Sequence, residues 1–285
     1  MYQERDYEII DYQLYELPGT GYRIRGPSPP TLAPREYFSC IGAAQTFGCF
    51  CERPYPALLA ESLGLGSLNL GFAGAGPRLF VHQPRLLDYV NAGRFAIVQV
   101  MSARSEDNSR FDSGGQEYLT RRVDGVKIGA EPAYRELLEN ESMSMVATLV
   151  QETRENWIES YTRLFHLIEV PTILFWFSTR SPEYQESYSG NIYEFFGEYP
   201  QLVTSWMVDR IKSLADYYVE CISNRGLPQP LISRFTGEPA TVRHRADLGG
   251  GWDSYNPYYP SPQMQVEAAH ALSEAARAIS APARR

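Results

Sequence analysis

The sequence predicts an α/β fold, a three-layer α/β/α sandwich around a central, mostly parallel five-stranded sheet. Three observations predict it. From residue 37 onward, short apolar runs alternate with helix-length segments, the pattern of βαβ units. The run Phe95-Ala-Ile-Val-Gln-Val-Met101 is rich in β-branched and apolar residues, as expected of a strand covered on both faces. The first run, Tyr37–Ile41, passes through a glycine-containing turn, Gly42 to Gly48, directly into a helix-like segment. That is how α/β proteins present groups at the carboxyl edge of a sheet.

Taken in order, residues 1–35 form an arm rich in Tyr and Pro. Pro27, Pro29, Pro30 and Pro34 disfavour both helix and central strand there. The arm is expected to lie extended against the domain through Tyr2, Tyr7, Tyr12, Tyr15 and Tyr22. Residues 36–285 read as a single domain without internal repeat. A strand over Tyr37–Ile41 is followed by a helix over Phe50–Leu63, with Pro54 and Pro56 near its start, where proline is tolerated. Leu68–Leu70 is a second strand, closed by the turn 71–77, and Arg78–Asn91 a helix. Phe95–Met101 is the third strand and Ser144–Ile168 a long helix. Thr172–Phe177 is the fourth strand, Ser205–Tyr218 a helix and Val219–Ile222 the fifth strand. An Ala-rich helix over Pro262–Ile279 closes the chain. Insertions at about 102–142 and 178–204 exceed the roughly 15 residues of an ordinary connection, and loops of that length tend to be functional or disordered.

Composition bounds the partners. A formal net charge of −8 over 285 residues argues against a nucleic-acid-binding surface. No apolar run approaches the ~18 residues of a membrane span, and the charged N-terminus lacks a signal-type apolar stretch, so the expected location is cytoplasmic. Cys40, Cys49, Cys51 and Cys221 do not form a metal framework, and buried structural thiols are the expectation.

In such a sheet the site lies in the loops after the strands, here 42–48, 71–77, 102–142, 178–204 and 223–261. Backbone N–H groups at the Gly42 and Gly71–Gly76 turns, with the side chains of Gln45 and Thr46, are suited to bind an anion. Arg104 and Arg180 each follow a strand and could reach the same rim. Tyr255, Tyr258 and Tyr259 are either plugs over the sheet edge or a surface for sugar rings. His244, between Arg243 and Arg245, is the one histidine to test as a base.

Gly42-Ala-Ala-Gln-Thr-Phe-Gly48 resembles the first block of the SGNH (GDSL-type) hydrolases, Gly-Asp-Ser-x-Thr-x-Gly, with Ala44 where that family has its nucleophilic serine. Asn69-Leu-Gly-Phe-Ala-Gly74 resembles the second block, and the resemblance implies an oxyanion-hole role for Gly71 or Gly74. The third block falls at Ser102–Ser105 without its Asn. The Asp-x-x-His block aligns with Asn256-Pro-Tyr-Tyr259, so Asp becomes Asn256 and His becomes Tyr259. The resemblance implies an SGNH/flavodoxin-like sheet and a degenerate member of the superfamily. Neither Ala44, Asn256 nor Tyr259 can act as nucleophile, orienting carboxylate or base near neutral pH.

Gly42-Ala-Ala-Gln45 is also similar to the Gly-Asn-Cys-Gln turn of capsular-polysaccharide acetyltransferases, and the chain as a whole to a bacterial family linked to polysaccharide modification. Three readings follow. One is a group transferase moving an acyl or sulfuryl group to a glycan without a serine intermediate, with coenzyme A or a phosphosulfate nucleotide as donor. Another is a non-catalytic SGNH-derived protein that binds a glycan or a partner; separately from these readings, the chain could form a homo-oligomer. The last is a hydrolase with displaced residues, Ser39, Ser102 or Ser105 with His244.

Overall fold

The computed structural model describes residues 4–185, 187–188, 191–243 and 251–281. Five strands, β1 (Tyr37–Gly42), β2 (Gly66–Gly71), β3 (Ala96–Gln99), β4 (Thr172–Ser178) and β5 (Tyr217–Ile222), pair in parallel in the order β5-β4-β3-β1-β2. Every residue of β1, β3 and β4 is buried, which explains their nearly continuous apolar sequence. Alternation along each strand then sorts the side chains. Phe38, Cys40, Ile97, Ile173 and Phe175 pack on one face, and Ile41, Val98, Leu174 and Trp176 on the other.

Nine helices among the described residues cover the sheet. They are α1 (Ala44–Phe47), α2 (Tyr55–Leu63), α3 (Pro77–Val81), α4 (Pro84–Ala92), α5 (Ala130–Asn140), α6 (Met143–Leu167), α7 (Ile192–Phe196), α8 (Ser205–Ile211) and α9 (Pro262–Ser280). Apolar side chains of α2 and α9 join the first face, and those of α3, α4, α6 and α8 the second. The architecture is the expected three-layer α/β/α sandwich. No helix among the described residues is long and apolar enough to cross a membrane.

Several expected boundaries move, each for a local reason. The helix after β1 is two helices, because Gly48 turns left-handed at φ 80° and ends α1, and α2 restarts behind Pro54 with Pro56 in its first turn. The segment 78–91 divides at His82–Gln83, where Pro84 opens α4. Helix α8 stops at Ile211, since β5 already pairs with β4 from Tyr217. Tertiary pairing overrides local helix propensity there. The 102–142 insertion is ordered: a three-stranded antiparallel meander, Phe111–Asp112, Tyr118–Arg121 and Lys127–Gly129, leads into α5.

The N-terminal arm is more than an extended strap. Tyr15–Leu17 and Tyr22–Ile24 form an antiparallel hairpin. Buried Arg25 donates to the carbonyls of Asp11, Cys51 and Glu52 at 3.2, 2.8 and 3.1 Å, fastening the arm to the segment after α1. Tyr12 meets the ring of Phe47 edge-on at 4.7 Å, while Tyr7 is exposed and Tyr2 lies outside the described residues.

The strand order fixes where a ligand crevice forms. Helix α2 leaves β1 for one face of the sheet and α3–α4 return to β3 on the other, so the connections diverge between β1 and β3. In open parallel sheets that divergence opens a crevice outside the carboxyl ends of the strands.

Candidate functional site at the carboxyl edge

Gln99, the last residue of β3, organises the crevice floor. It is fully buried, and its Oε1 accepts from the N–H of Ala43 at 3.0 Å and from Oγ1 of Thr46 at 2.6 Å. Its Nε2 donates to the hydroxyl of Tyr199 at 2.9 Å. One amide thus joins the ends of β1 and β3 to the 178–204 loop. Gly42 is required at the bottom of this arrangement, because a Cβ there would lie 2.1 Å from Thr46 Oγ1 and 2.4 Å from Gln99 Oε1.

A second chain of contacts reaches the C-terminal segment. The carbonyl of Gln201 accepts from the N–H of Ala103 at 3.0 Å, and Gln201 Nε2 donates to the hydroxyl of Tyr258 at 3.0 Å. Tyr258 and Tyr259 meet edge to face at 5.0 Å, and Tyr259 packs against the apolar cluster that contains Ala44, Phe47 and Phe50. The turns at 42–48, 102–105, 199–201 and 256–259 therefore belong to one edge.

Each residue expected at the site has a definite place. Gln45 follows Ala44 on α1, is only 2% exposed, and its side-chain Oε1 is buried with no hydrogen-bond partner among the described residues. Thr46 is buried with its hydroxyl held by Gln99 and by Tyr55 at 3.0 Å, so it supports the turn and cannot reach a ligand. The N–H of Gly71 donates to Oδ1 of Asn69 at 3.0 Å, which leaves it unavailable for an oxyanion in this conformation. Gly71 instead allows close packing, since a Cβ would lie 2.2 Å from the backbone nitrogen of Phe47. Gly74, at φ +69°, lies against the side chain of Glu117, and Glu117 pairs with Arg104 at 3.0 Å. Gly74 and Arg104 are thereby brought together, with Arg104 Nε left without a partner.

Arg180 departs from the expected rim position. Its guanidinium donates to the carbonyls of Ser181, Glu198, Pro200 and Val203, closing the 178–204 loop from inside. Burial among these neutral acceptors lowers its pKa to about 10. Asn256 is buried and shapes the turn: Oδ1 accepts from the N–H groups of Tyr258 and Tyr259 at 3.1 and 2.8 Å, and Nδ2 donates to the Tyr259 carbonyl at 2.9 Å. His244 and Arg245 lie outside the described residues. Of the serines considered as displaced nucleophiles, Ser39 and Ser105 are buried with no hydrogen-bond partner on Oγ, and Ser102 Oγ donates to Gln201 O at 3.3 Å.

Sequence reasoning missed Gln99, Tyr199 and Gln201. A glutamine inside the apolar run 95–101 is the one signal that could have marked the first. Behind the site, the carboxyl of Glu106 is fully buried, bound by Arg78 Nε and by the N–H of Asp107 at 3.1 Å. Burial raises its pKa to about 7 against the opposing pull of Arg78. The four cysteines are free and buried, and no group of three or more His, Cys, Asp or Glu among the described residues is placed to hold a metal.

Comparison with known families places the chain. The sequence model of the family defined by a domain of unknown function, DUF6473, matches residues 1–112 and 135–242. The chain belongs to this family. The unmatched residues 113–134 carry two of the three meander strands, and the segment with Asn256, Tyr258 and Tyr259 follows the matched span. No curated protein sequence matches the chain. Among solved structures it is similar to a Bacteroides fragilis protein described as an acylhydrolase, at 12% identity and TM-score 0.43, covering 90% of this chain and 92% of that one. It is also similar to a catalytic mutant of the acetylxylan esterase Axe2 from Geobacillus stearothermophilus, at 14% identity and TM-score 0.39, covering 88% and 99%. A third is a family two carbohydrate esterase from Clostridium thermocellum in complex with cellohexaose, at 11% identity and TM-score 0.35, covering 91% and 68%.

Proposed function

We propose that this protein is a non-catalytic SGNH-derived binding protein that recognises a neutral glycan at the carboxyl edge of its sheet. One observation carries the reading. Gln45, next to the nucleophile position occupied by Ala44, is 2% exposed and keeps its side-chain Oε1 buried without a partner. A buried amide left unsatisfied costs about 1–3 kcal/mol, so its retention at the strand-order reversal points to a ligand that completes it. Glycan hydroxyls both donate and accept, and can satisfy either end of an amide.

The charges support a neutral ligand over an anion. Arg180 is committed to backbone carbonyls and Arg104 to Glu117. Ala44 has no nucleophilic atom. Isothermal calorimetry with neutral oligosaccharides tests the reading: binding that is lost in Gln45→Ala, with no turnover of p-nitrophenyl acetate, is expected. Turnover that a serine reagent abolishes would refute it.

A second reading is favoured by Arg104 Nε, which is buried without a partner. On that reading Arg104 and the 71–76 turn hold an anionic donor, and the protein transfers an acyl or sulfuryl group to a glycan. Thermal shift with acetyl-coenzyme A and with a phosphosulfate nucleotide separates the two. A shift lost in Arg104→Ala supports transfer, and no shift with either removes it.

A further inference from the structure

Tyr258 is exposed yet fixed. Its ring is 43% exposed, but its hydroxyl accepts from Gln201 Nε2 at 3.0 Å and its backbone N–H donates to Asn256 Oδ1 at 3.1 Å. Tyr259 braces the ring edge-on at 5.0 Å, and Phe50 braces Tyr259 in turn at 5.9 Å. An exposed tyrosine ordinarily samples several rotamers, and ordering it on binding costs affinity. Here that ordering is complete before any ligand arrives.

The anchor is itself incomplete. Gln201 is 5% exposed, and its Oε1 has no partner. Turning the amide over would exchange the roles of the two atoms and still leave one of them unsatisfied. A rigid apolar ring face thus stands beside a buried amide that lacks one hydrogen bond.

That pairing matches the two surfaces of a pyranose ring. The ring face presents axial C–H groups, which pack on an aromatic plane, while the equatorial hydroxyls leave sideways toward polar groups. We infer that Tyr258, held by Gln201, is the stacking platform of a pyranose subsite at this edge. The inference rests on the glycan-binding reading above and names the sugar class for that same edge.

The test is calorimetry on the full chain with cellotetraose and xylotetraose. Tyr258→Ala should lose about tenfold or more for them while still unfolding cooperatively above the assay temperature. Tyr258→Phe, which keeps the stack and lacks the tether, should fall between. Full affinity for both sugars in Tyr258→Ala while Gln45→Ala abolishes binding would overturn the platform and leave glycan binding standing. No binding of any oligosaccharide by the unsubstituted protein would overturn both.

Discussion

Replacing Gln99 by methionine tests whether this amide holds the site together. Methionine has nearly the same length and volume, so the core is refilled and the cavity contribution is small. What changes is hydrogen bonding. Thr46 can turn its hydroxyl to Tyr55, 3.0 Å away, and Tyr199 keeps the carbonyl of Val100 at 3.3 Å. The N–H of Ala43 has no such alternative, because Ala43 is buried and Gln99 Oε1 at 3.0 Å is its acceptor. An orphaned buried N–H costs about 1–3 kcal/mol, and each rearranged bond about 1 kcal/mol or less, for a total of about 2–4 kcal/mol. Against a typical stability of roughly 5–15 kcal/mol that is a large fraction. Urea unfolding followed by tryptophan fluorescence should show a lower midpoint with an unchanged slope. A loss below about 0.5 kcal/mol would refute the claim that Gln99 ties β1 to β3.

Three further outcomes are expected. Glu106 binds its proton more tightly in the folded chain, with a pKa near 7, than unfolded, so stability should fall as pH rises from the ordinary glutamate range to about 7 and level off above it. Glu106→Gln should remove that decline, worth about 3 kcal/mol, and melting curves between pH 5 and 8 that keep the original slope would contradict it. Ala44→Ser should leave p-nitrophenyl acetate hydrolysis within about threefold of the starting protein, since a serine there would lie in the apolar cluster of Phe47, Phe50 and Tyr259; a gain of ~100-fold would reveal a base acting on that position. Arg180→Ala should destabilise the fold by about 3 kcal/mol by orphaning the carbonyls of Ser181, Glu198, Pro200 and Val203, and an unchanged denaturation midpoint would show those bonds to be dispensable.

Much of the fold was legible because burial writes itself into local composition. β1 and β4 are buried at every position, and their apolar runs announced both the strands and helices on both faces. Gly42, Gly48 and Gly71 marked turns or close approaches that exclude a Cβ or favour a left-handed φ. The site was legible in outline only. Its position followed from strand–turn–helix order, and Gln45 stood out beside an alanine where a nucleophile was expected. The partners were not legible: Arg104 and Arg180 looked alike, each directly after a strand, yet one meets a carboxylate and the other a ring of carbonyls.

The sequence by itself determined the alternation of strands and helices, the two covered faces of the sheet, and the lack of a serine at position 44. Those features depend on the residues themselves and on neighbours a few positions away. Only the tertiary structure decided that Gln99 reaches Ala43, Thr46 and Tyr199 and that Gln201 tethers Tyr258. Hydrogen-bond partners up to 100 positions apart are chosen by which buried donors and acceptors the packed core leaves unpaired, and no local pattern encodes that choice.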